Sequence, residues 1–485
     1  MLRLIIRQTN WAILGSFFTF LVGFVVTTYV VREVGLEIWG RYKTAHVFAS
    51  IMDTFLAVGI PYVILRFFPS LLNKDPQKAS VIIRKILRYA ISISIIFMIV
   101  MFLTKDLLDI HLYPEYPNFS YLLFVISVHA PISIFMGIIT SLYRSVLKIK
   151  EIMIYGTFIA VPLRGVITFI VFQYTSDIFC LVAIDIFVQL LTLFLLYYFF
   201  NKREFKIFKN KLSNHNTSID NSIFSYGKKM YATSVIYLLS AKGLPLLIGF
   251  LLIADKMGMY AVLMTITGLS MFLNKNLRKI FSPAISKLYE ENKIKELNIL
   301  YKQTTFIVNV LTIPFSILII FFSDEIFQLY NMNSDQILYC KPLLFILVVA
   351  RLFSLLAGNS GAIMAMAGIE KKEFIIQTIR SILSITFALL FIQEYELQAI
   401  VIILMSSIVF EAISQLFFIN YSIKISPFSP DLIYLILLSV PLVYFSIVQN
   451  LDIEFYHYIL LPIIIYLFYF VVFYKRLKKI YLEIK

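Results

Sequence analysis

Four cationic residues lie inside long apolar segments of this chain. Arg164, Lys242, Arg351 and Arg380 each interrupt a run that otherwise has the composition of a membrane-spanning helix. A Lys or Arg at the centre of such a helix costs about 2.5–3.5 kcal/mol on insertion scales. Cations at that depth usually face a protein interior or a water-filled cavity. The pattern predicts an interior that receives something anionic.

Lys242 and Arg351 are the first candidates for contact with a phosphate, and Arg164 is the next. Lys242 lies near the middle of its segment, and Arg351 lies on a stripe of small and polar residues. Arg41 and Lys43, before the second apolar segment, are candidates of second rank. Each intramembrane cation could instead pair with a carboxylate on another helix.

Asp53, Asp185 and Glu411 are the carboxylates inside apolar segments. They could carry H⁺ or Na⁺ in a coupled transporter, or they could neutralise the buried cations. Arg380 lies close to a basic segment end and could extend to the membrane surface. No His/Cys cluster has zinc spacing, so we expect no metal site and no resident cofactor.

The composition is that of a polytopic membrane protein. The chain has 485 residues, of which 60% are hydrophobic, and a mean hydropathy of +0.86. A spanning helix needs about 20 apolar residues. Hydropathy predicts fourteen spans, at residues 10–31, 44–65, 86–104, 119–143, 152–173, 178–200, 229–253, 259–280, 303–322, 338–367, 374–393, 397–420, 432–449 and 457–474.

The charges of the loops agree with this map. If both termini are cytoplasmic, and cations near the ends of spans are counted with the adjoining loop, 33 of the 43 Lys and Arg residues fall on the cytoplasmic side and 6 outside. That asymmetry obeys the positive-inside rule. The net charge of +15 is explained by orientation and by attraction to anionic membrane lipids. A nucleic-acid partner is not required.

Two parts of the chain resemble each other. The tripeptides GRY at 40–42 and GMY at 258–260 are 218 residues apart, and FFPS at 67–70 and FSPA at 281–284 are 214 apart. Six spans repeated in one orientation imply two lobes related by an axis along the membrane normal. Chance similarity between membrane helices is the other explanation.

The predicted fold is therefore all-α, with two six-helix lobes related by a pseudo-two-fold axis and two further C-terminal helices. Its predicted divisions are an N-terminal lobe, a basic cytoplasmic linker, a C-terminal lobe, and two extra spans with a basic tail, at 1–200, 201–228, 229–420 and 421–485. Gly59 with Pro61, and Gly243 with Pro245, would interrupt their helices and are the predicted hinges.

Short motifs near the N-terminus add a family resemblance. They are NWAILG at 10–15, VGLEIWGRY at 34–42, LAVGIP at 56–61 and LRFF at 65–68. With the topology, they resemble bacterial polysaccharide transporters, the lipid-linked oligosaccharide flippases of the multidrug/oligosaccharidyl-lipid/polysaccharide exporter superfamily. Val34-Gly35 stands where that family usually has Leu-Gly.

The resemblance implies a bacterial inner-membrane flippase rather than an enzyme, working by alternating access. Its substrate would be a polyprenyl-diphosphate-linked oligosaccharide for O-antigen of lipopolysaccharide, capsule or a similar polysaccharide. An ion-coupled multidrug antiporter of the same superfamily is the first alternative, although a cationic drug would favour an anionic cavity. A polysaccharide polymerase or ligase is the second, although the short outer loops leave no room for a catalytic domain.

Overall fold

A computed structural model of the chain describes residues 2–57, 59–112, 119–206, 221–448 and 455–484, and in that part it contains helices and no strand. This confirms the all-α class. Residues 207–220 of the predicted linker lie outside the described residues. The side chains of Ser282 and Pro283, in the FSPA motif at 281–284, also lie outside the described part of the structure. The chain divides into two compact units, Met1–Met259 and Tyr260–Lys485.

Over its described residues, the first unit contains nine helices and the start of a tenth. They are α1 (Leu2–Ala57), α2 (Ile60–Lys74), α3 (Pro76–Leu112), α4 (Phe119–Ser127), α5 (His129–Ser145), α6 (Ile149–Met153), α7 (Ala160–Phe172), α8 (Ile178–Arg203) and α9 (Asn221–Leu251), followed by α10 (Ala254–Glu290). A π-helical segment, Ile154–Ile159, joins α6 to α7.

The second unit begins inside α10 and, in the part that the structure describes, contains seven further helices. They are α11 (Ile294–Phe321), α12 (Ser323–Leu329), α13 (Ser334–Leu356), α14 (Ser360–Met366), α15 (Glu370–Ile423), α16 (Pro430–Val448) and α17 (Phe455–Ile484). The predicted lobe boundary lies before α9, whereas this division lies after it. The observed division follows compact packing, whereas the predicted one follows the lobes of a transporter, and the two need not coincide. The six-plus-six arrangement therefore stays a prediction.

The described helices account for most of the predicted spans. Nine helical segments of the described chain are long and apolar enough to cross a membrane, and two of these nine are 44 and 54 residues long. At 1.5 Å per residue, each is more than twice as long as a bilayer's hydrocarbon core is thick. Each is bent where the backbone leaves the helical region, at Gly35 in α1 and at Glu396 in α15. Each therefore supplies two predicted spans, and the chain is a multi-pass membrane protein.

Each unit has its own packed interior. In the first, α2, α3, α5 and α8 meet around Phe68, Ile83, Tyr143 and Phe200. In the second, α16 and α17 pack on α11 around Phe306, Leu432 and Tyr469. Large apolar side chains elsewhere point outward, among them Leu103, Leu390 and Val471. In a bilayer such faces contact lipid, so close packing and polar contacts between helices hold the fold together.

Candidate functional site

Arg164 and Asp185 form a two-point ion pair inside the first unit. Arg164 of α7 donates from Nε to Oδ1 of Asp185 on α8, and from Nη2 to Oδ2 at 3.0 Å. The Tyr42 hydroxyl of α1 donates to the same Oδ2 at 2.7 Å. The carboxylate is 8% exposed and the guanidinium side chain 35% exposed. Asp185 is thus the ion-pair partner of Arg164. Because the Arg164 side chain is partly exposed, its guanidinium can still interact with another anion.

Lys43 lies beside this pair. Its ammonium nitrogen is 4.4 Å from the ring centroid of Trp39, one helical turn earlier in α1. Lys43 also interacts electrostatically with Arg164, Asp185 and Lys242. The aromatic face stabilises the ammonium and leaves its hydrogen-bond donors available.

Lys242 supplies the third cation of the group. It is half-buried in α9 and interacts electrostatically with Lys43 and His46. Within the described part of the chain it forms no ion pair. We name Lys43, Arg164 and Lys242 the cation cluster. Because Asp185 is its one bonded carboxylate among the described residues, the three basic side chains formally exceed the carboxylates by two.

Two histidines border the cation cluster. The rings of His46 on α1 and His129 on α5 are 5.8 Å apart between centroids. His129 Nδ1 is hydrogen-bonded to Gln189 Oε1 at 2.8 Å, while its buried Nε2 has no partner among the described atoms. A neutral imidazole offers one donor and one acceptor, so His129 keeps hydrogen-bonding capacity beside the cations.

The other residues of the first unit that the sequence predicted for the site do not belong to the cation cluster. Arg41 forms an ion pair with Glu37 at 2.5 Å, one turn before it on α1. Asp53, Gly59 and Pro61 line a cavity of about 430 Å³. Asp53 has no ion-pair or hydrogen-bond partner among the described residues, in contrast to Asp185.

The two predicted hinges differ. The helix breaks before Gly59, whose φ of 72° is left-handed, and Pro61 stands in the first turn of α2. Proline fits there because the first turn has unpaired N–H groups in any case. The interruption expected at Gly243 and Pro245 is absent from the described backbone, since α9 runs unbroken from Asn221 to Leu251. A hinge role stays a prediction for both pairs.

In the second unit, Arg380 and Glu411 form an ion pair between the two arms of α15. Gln377 donates to Glu411 at 2.7 Å, and Gln415 donates to both Glu411 at 3.2 Å and Glu373 at 3.0 Å. Glu373 is only 7% exposed. The hydropathy map places it in a basic loop just before a span, so sequence reasoning missed its burial.

Arg351 lies near this network. It interacts electrostatically with Tyr260, Arg380 and Glu411, and its buried Nε has no hydrogen-bond partner among the described residues. A second cation thus adjoins the Arg380–Glu411 pair, much as Lys43 adjoins Arg164 and Asp185. Both units place an Arg of one span against a carboxylate of the next, 21 residues apart in one and 31 in the other. The repeated arrangement supports the internal repeat.

The comparisons agree with this architecture. Residues 29–333 match the polysaccharide biosynthesis protein family, which covers more than half of the chain. No curated protein matches the sequence. The lipid II flippase MurJ, in an inward-closed conformation, has a similar structure, with a TM-score of 0.73 and 15% identity over 96% of this chain and 98% of that one.

Transporters of the MOP superfamily are also similar. An outward-facing multidrug resistance MATE family transporter gives a TM-score of 0.60 and 14% identity, over 87% of this chain and 95% of that one. A MOP superfamily transporter from Pyrococcus furiosus gives 0.59 and 16% over the same shares. At these identities the likeness concerns the fold alone. The chain therefore belongs to the polysaccharide biosynthesis protein family and has the fold of the MOP superfamily transporters.

Proposed function

We propose that this protein is a flippase for a polyprenyl-diphosphate-linked oligosaccharide used in cell-surface polysaccharide synthesis. The observation that carries the proposal is the cation cluster, in which Lys43, Arg164 and Lys242 face one bonded carboxylate among the described residues. The diphosphate is the charged part of such a substrate, and its negative charge must be compensated by cations when it leaves water. Membership of the family supports the same assignment.

Lys43 and Lys242 are the residues that would contact the diphosphate first. Neither has an ion-pair partner within the described part of the chain, so their charge is available to a ligand. Arg164 would keep its bond to Asp185 and turn its exposed edge to the ligand. Arg351 supplies a cation in the second unit, and Arg41 would attract substrate from further away.

The protein would work by alternating access in a bacterial inner membrane with both termini in the cytoplasm. The headgroup enters from the cytoplasmic leaflet while the prenyl chain stays in lipid. The excess of Lys and Arg in the inner loops supports this orientation. The helix break at Gly59 is a place where α1 and α2 can change their angle. No covalent chemistry is required, so the protein is not an enzyme in this proposal.

Resetting of the transporter would use a gradient of H⁺ or Na⁺. Asp185 and Glu411 are engaged with arginines, which leaves Asp53 as the carboxylate better placed to bind an ion. Flipping that continues at the wild-type rate after all ion gradients are collapsed would contradict coupling.

The function is tested by translocation of a fluorescent polyprenyl-diphosphate oligosaccharide in proteoliposomes, with a membrane-impermeant quencher as the readout. We expect the wild type to flip the probe and Lys242→Ala to lose most of that rate. Lys287→Ala is the matched control, because this lysine is 72% exposed on α10. Flipping by both variants at the wild-type rate would remove Lys242 from the site.

A cation-drug antiporter is the competing function, favoured by the likeness to MATE transporters. The same vesicles distinguish it. Transport of a cationic dye, with no flipping of the lipid-linked probe by well-folded protein, would replace the flippase assignment.

A further inference from the structure

A cavity of about 430 Å³ with a partly polar wall lies in the first unit between α1, α2, α5 and α9. Its lining residues include Asp53, Arg144, Ser133, Ser141 and Ser234. Cavities of about 300–1,000 Å³ are the usual size of small-molecule sites. Its mixture of acceptor, cation and hydroxyl groups is that of a site for a ligand with many hydroxyls.

Two helices that carry the cation cluster, α1 and α9, also line this cavity, as does α5, which carries the neighbouring His129. On α9, Leu238 lines the cavity one turn before Lys242. On α5, Ser133 lines it one turn after His129. On α1, Asp53 follows Lys43 by ten residues, which is about 15 Å of helix. The cluster and the cavity therefore lie along the same helices, about one to three turns apart.

Asp53 is the polar group that most needs a partner. It is half-buried in a spanning helix, and no described residue forms an ion pair or hydrogen bond with it. An ionised carboxylate accepts several hydrogen bonds, and those to charged groups are about twice as strong as neutral ones. Leaving such a group without partners is costly in an apolar surrounding.

Two tyrosines complete the wall. Tyr62 and Tyr237 line the cavity and are 45% and 47% exposed. Aromatic rings with polar tips offer a flat apolar face beside a hydrogen-bonding group. A sugar ring has the same combination, with C–H faces and a rim of hydroxyls.

We propose that this cavity is the glycan subsite of the transporter, an inference that rests on the proposed function. With the diphosphate on the cation cluster, the first sugars of the headgroup occupy the cavity. Asp53 accepts hydrogen bonds from sugar hydroxyls, and Arg144 and the serines complete the polar contacts. The distance of about 15 Å along α1 between Lys43 and Asp53 is longer than a diphosphate, so the sugar is the part that reaches the cavity.

The test measures binding in nanodiscs at fixed pH, with no ion gradient, for three probes. They are polyprenyl diphosphate without sugar, the same lipid bearing one N-acetylhexosamine, and the same lipid bearing one hexose. We expect at least one sugar to tighten binding to the wild type about tenfold or more, as for hydrogen bonds to a charged group. Asp53→Asn should remove most of that gain, so that it binds the sugar-bearing lipids little more tightly than the sugar-free lipid.

Gly137→Ala is a second variant that keeps the fold. A β-carbon on this cavity-lining glycine of α5 would meet only Pro61 Cγ, at 3.5 Å, which is ordinary contact. Its methyl group narrows the cavity and should weaken the sugar-dependent gain. Gly23→Ala on α1 is the matched control, because its β-carbon would have no neighbour within 4 Å. Both substitutions should retain or raise thermal stability.

The outcomes separate the subsite from the function. If the wild type binds all three probes equally, or if Asp53→Asn and Gly137→Ala leave the sugar gain intact, the glycan subsite is wrong and the flippase stands. If Asp53→Asn weakens the sugar-free lipid equally, Asp53 acts on the diphosphate site and the subsite is again wrong. If the wild type binds none of the probes, the proposed function itself fails.

Discussion

Gly40 and Gly258 make equivalent contacts with each other's helix. A β-carbon on Gly40 would overlap the carbonyl oxygen of Ala254, and a β-carbon on Gly258 would overlap that of Leu36. Leu36 precedes Gly40 by four residues, as Ala254 precedes Gly258. The backbones of α1 and α10 therefore approach each other closely at these two glycines, which open the Gly-x-Tyr tripeptides recognised in the sequence.

Alanine at either glycine should force the crossing apart. We expect Gly40→Ala and Gly258→Ala each to destabilise the protein by about 1–3 kcal/mol, the usual cost of overpacking. Thermal unfolding of the detergent-solubilised protein, followed by fluorescence, measures this. Gly268→Ala, later in α10, is the control, because a β-carbon there has no neighbour within 4 Å. Equal melting temperatures for all three variants would contradict the close approach.

Asp185→Asn should destabilise the first unit strongly. It leaves the Arg164 charge without its carboxylate, and breaking a buried pair costs about 3–5 kcal/mol. Tyr42→Phe removes only one hydrogen bond to the same carboxylate and should cost about 1.5–3 kcal/mol. Thermal melts of the two single variants and the double variant give the coupling energy. A coupling energy of zero would show that Tyr42 and Asp185 do not interact.

Lys242→Met should separate binding from stability. Because Lys242 has no ion-pair partner among the described residues, we expect the melting temperature to stay the same or to rise. Binding of polyprenyl diphosphate should weaken at least about tenfold, which corresponds to about 1.4 kcal/mol. Isothermal titration in nanodiscs measures the affinity. A large loss of stability with unchanged affinity would indicate a structural role instead.

The Arg380–Glu411 pair should be replaceable as a unit. Arg380→Met alone leaves the Glu411 carboxylate without its cation and should lower stability by about 3–5 kcal/mol. Arg380→Met with Glu411→Met removes both charges and should recover much of that loss, since apolar replacement of a buried pair is often tolerated. A double variant less stable than either single variant would mean that Gln377 and Gln415 depend on Glu411 to keep their positions.

The sequence predicted the helices well because their signal is local. Apolar length identifies a span, and Lys and Arg in the loops orient it. The break at Gly59 also followed from local chemistry. Pro245 shows the limit of such reasoning, since α9 continues through it. In spanning helices neighbouring groups can satisfy the carbonyl that a proline leaves free, and no local pattern records those neighbours.

Residue types and depth determined which groups were chemical candidates, because a buried charge is expensive wherever the helix packs. The tertiary structure alone decided their partners. It bonded Arg164 to Asp185 and Arg380 to Glu411, brought Lys43 and Lys242 together, and left Asp53 without a partner among the described residues. Ion pairs and cavities join helices distant in sequence, and which helix faces meet depends on packing that a single sequence does not display.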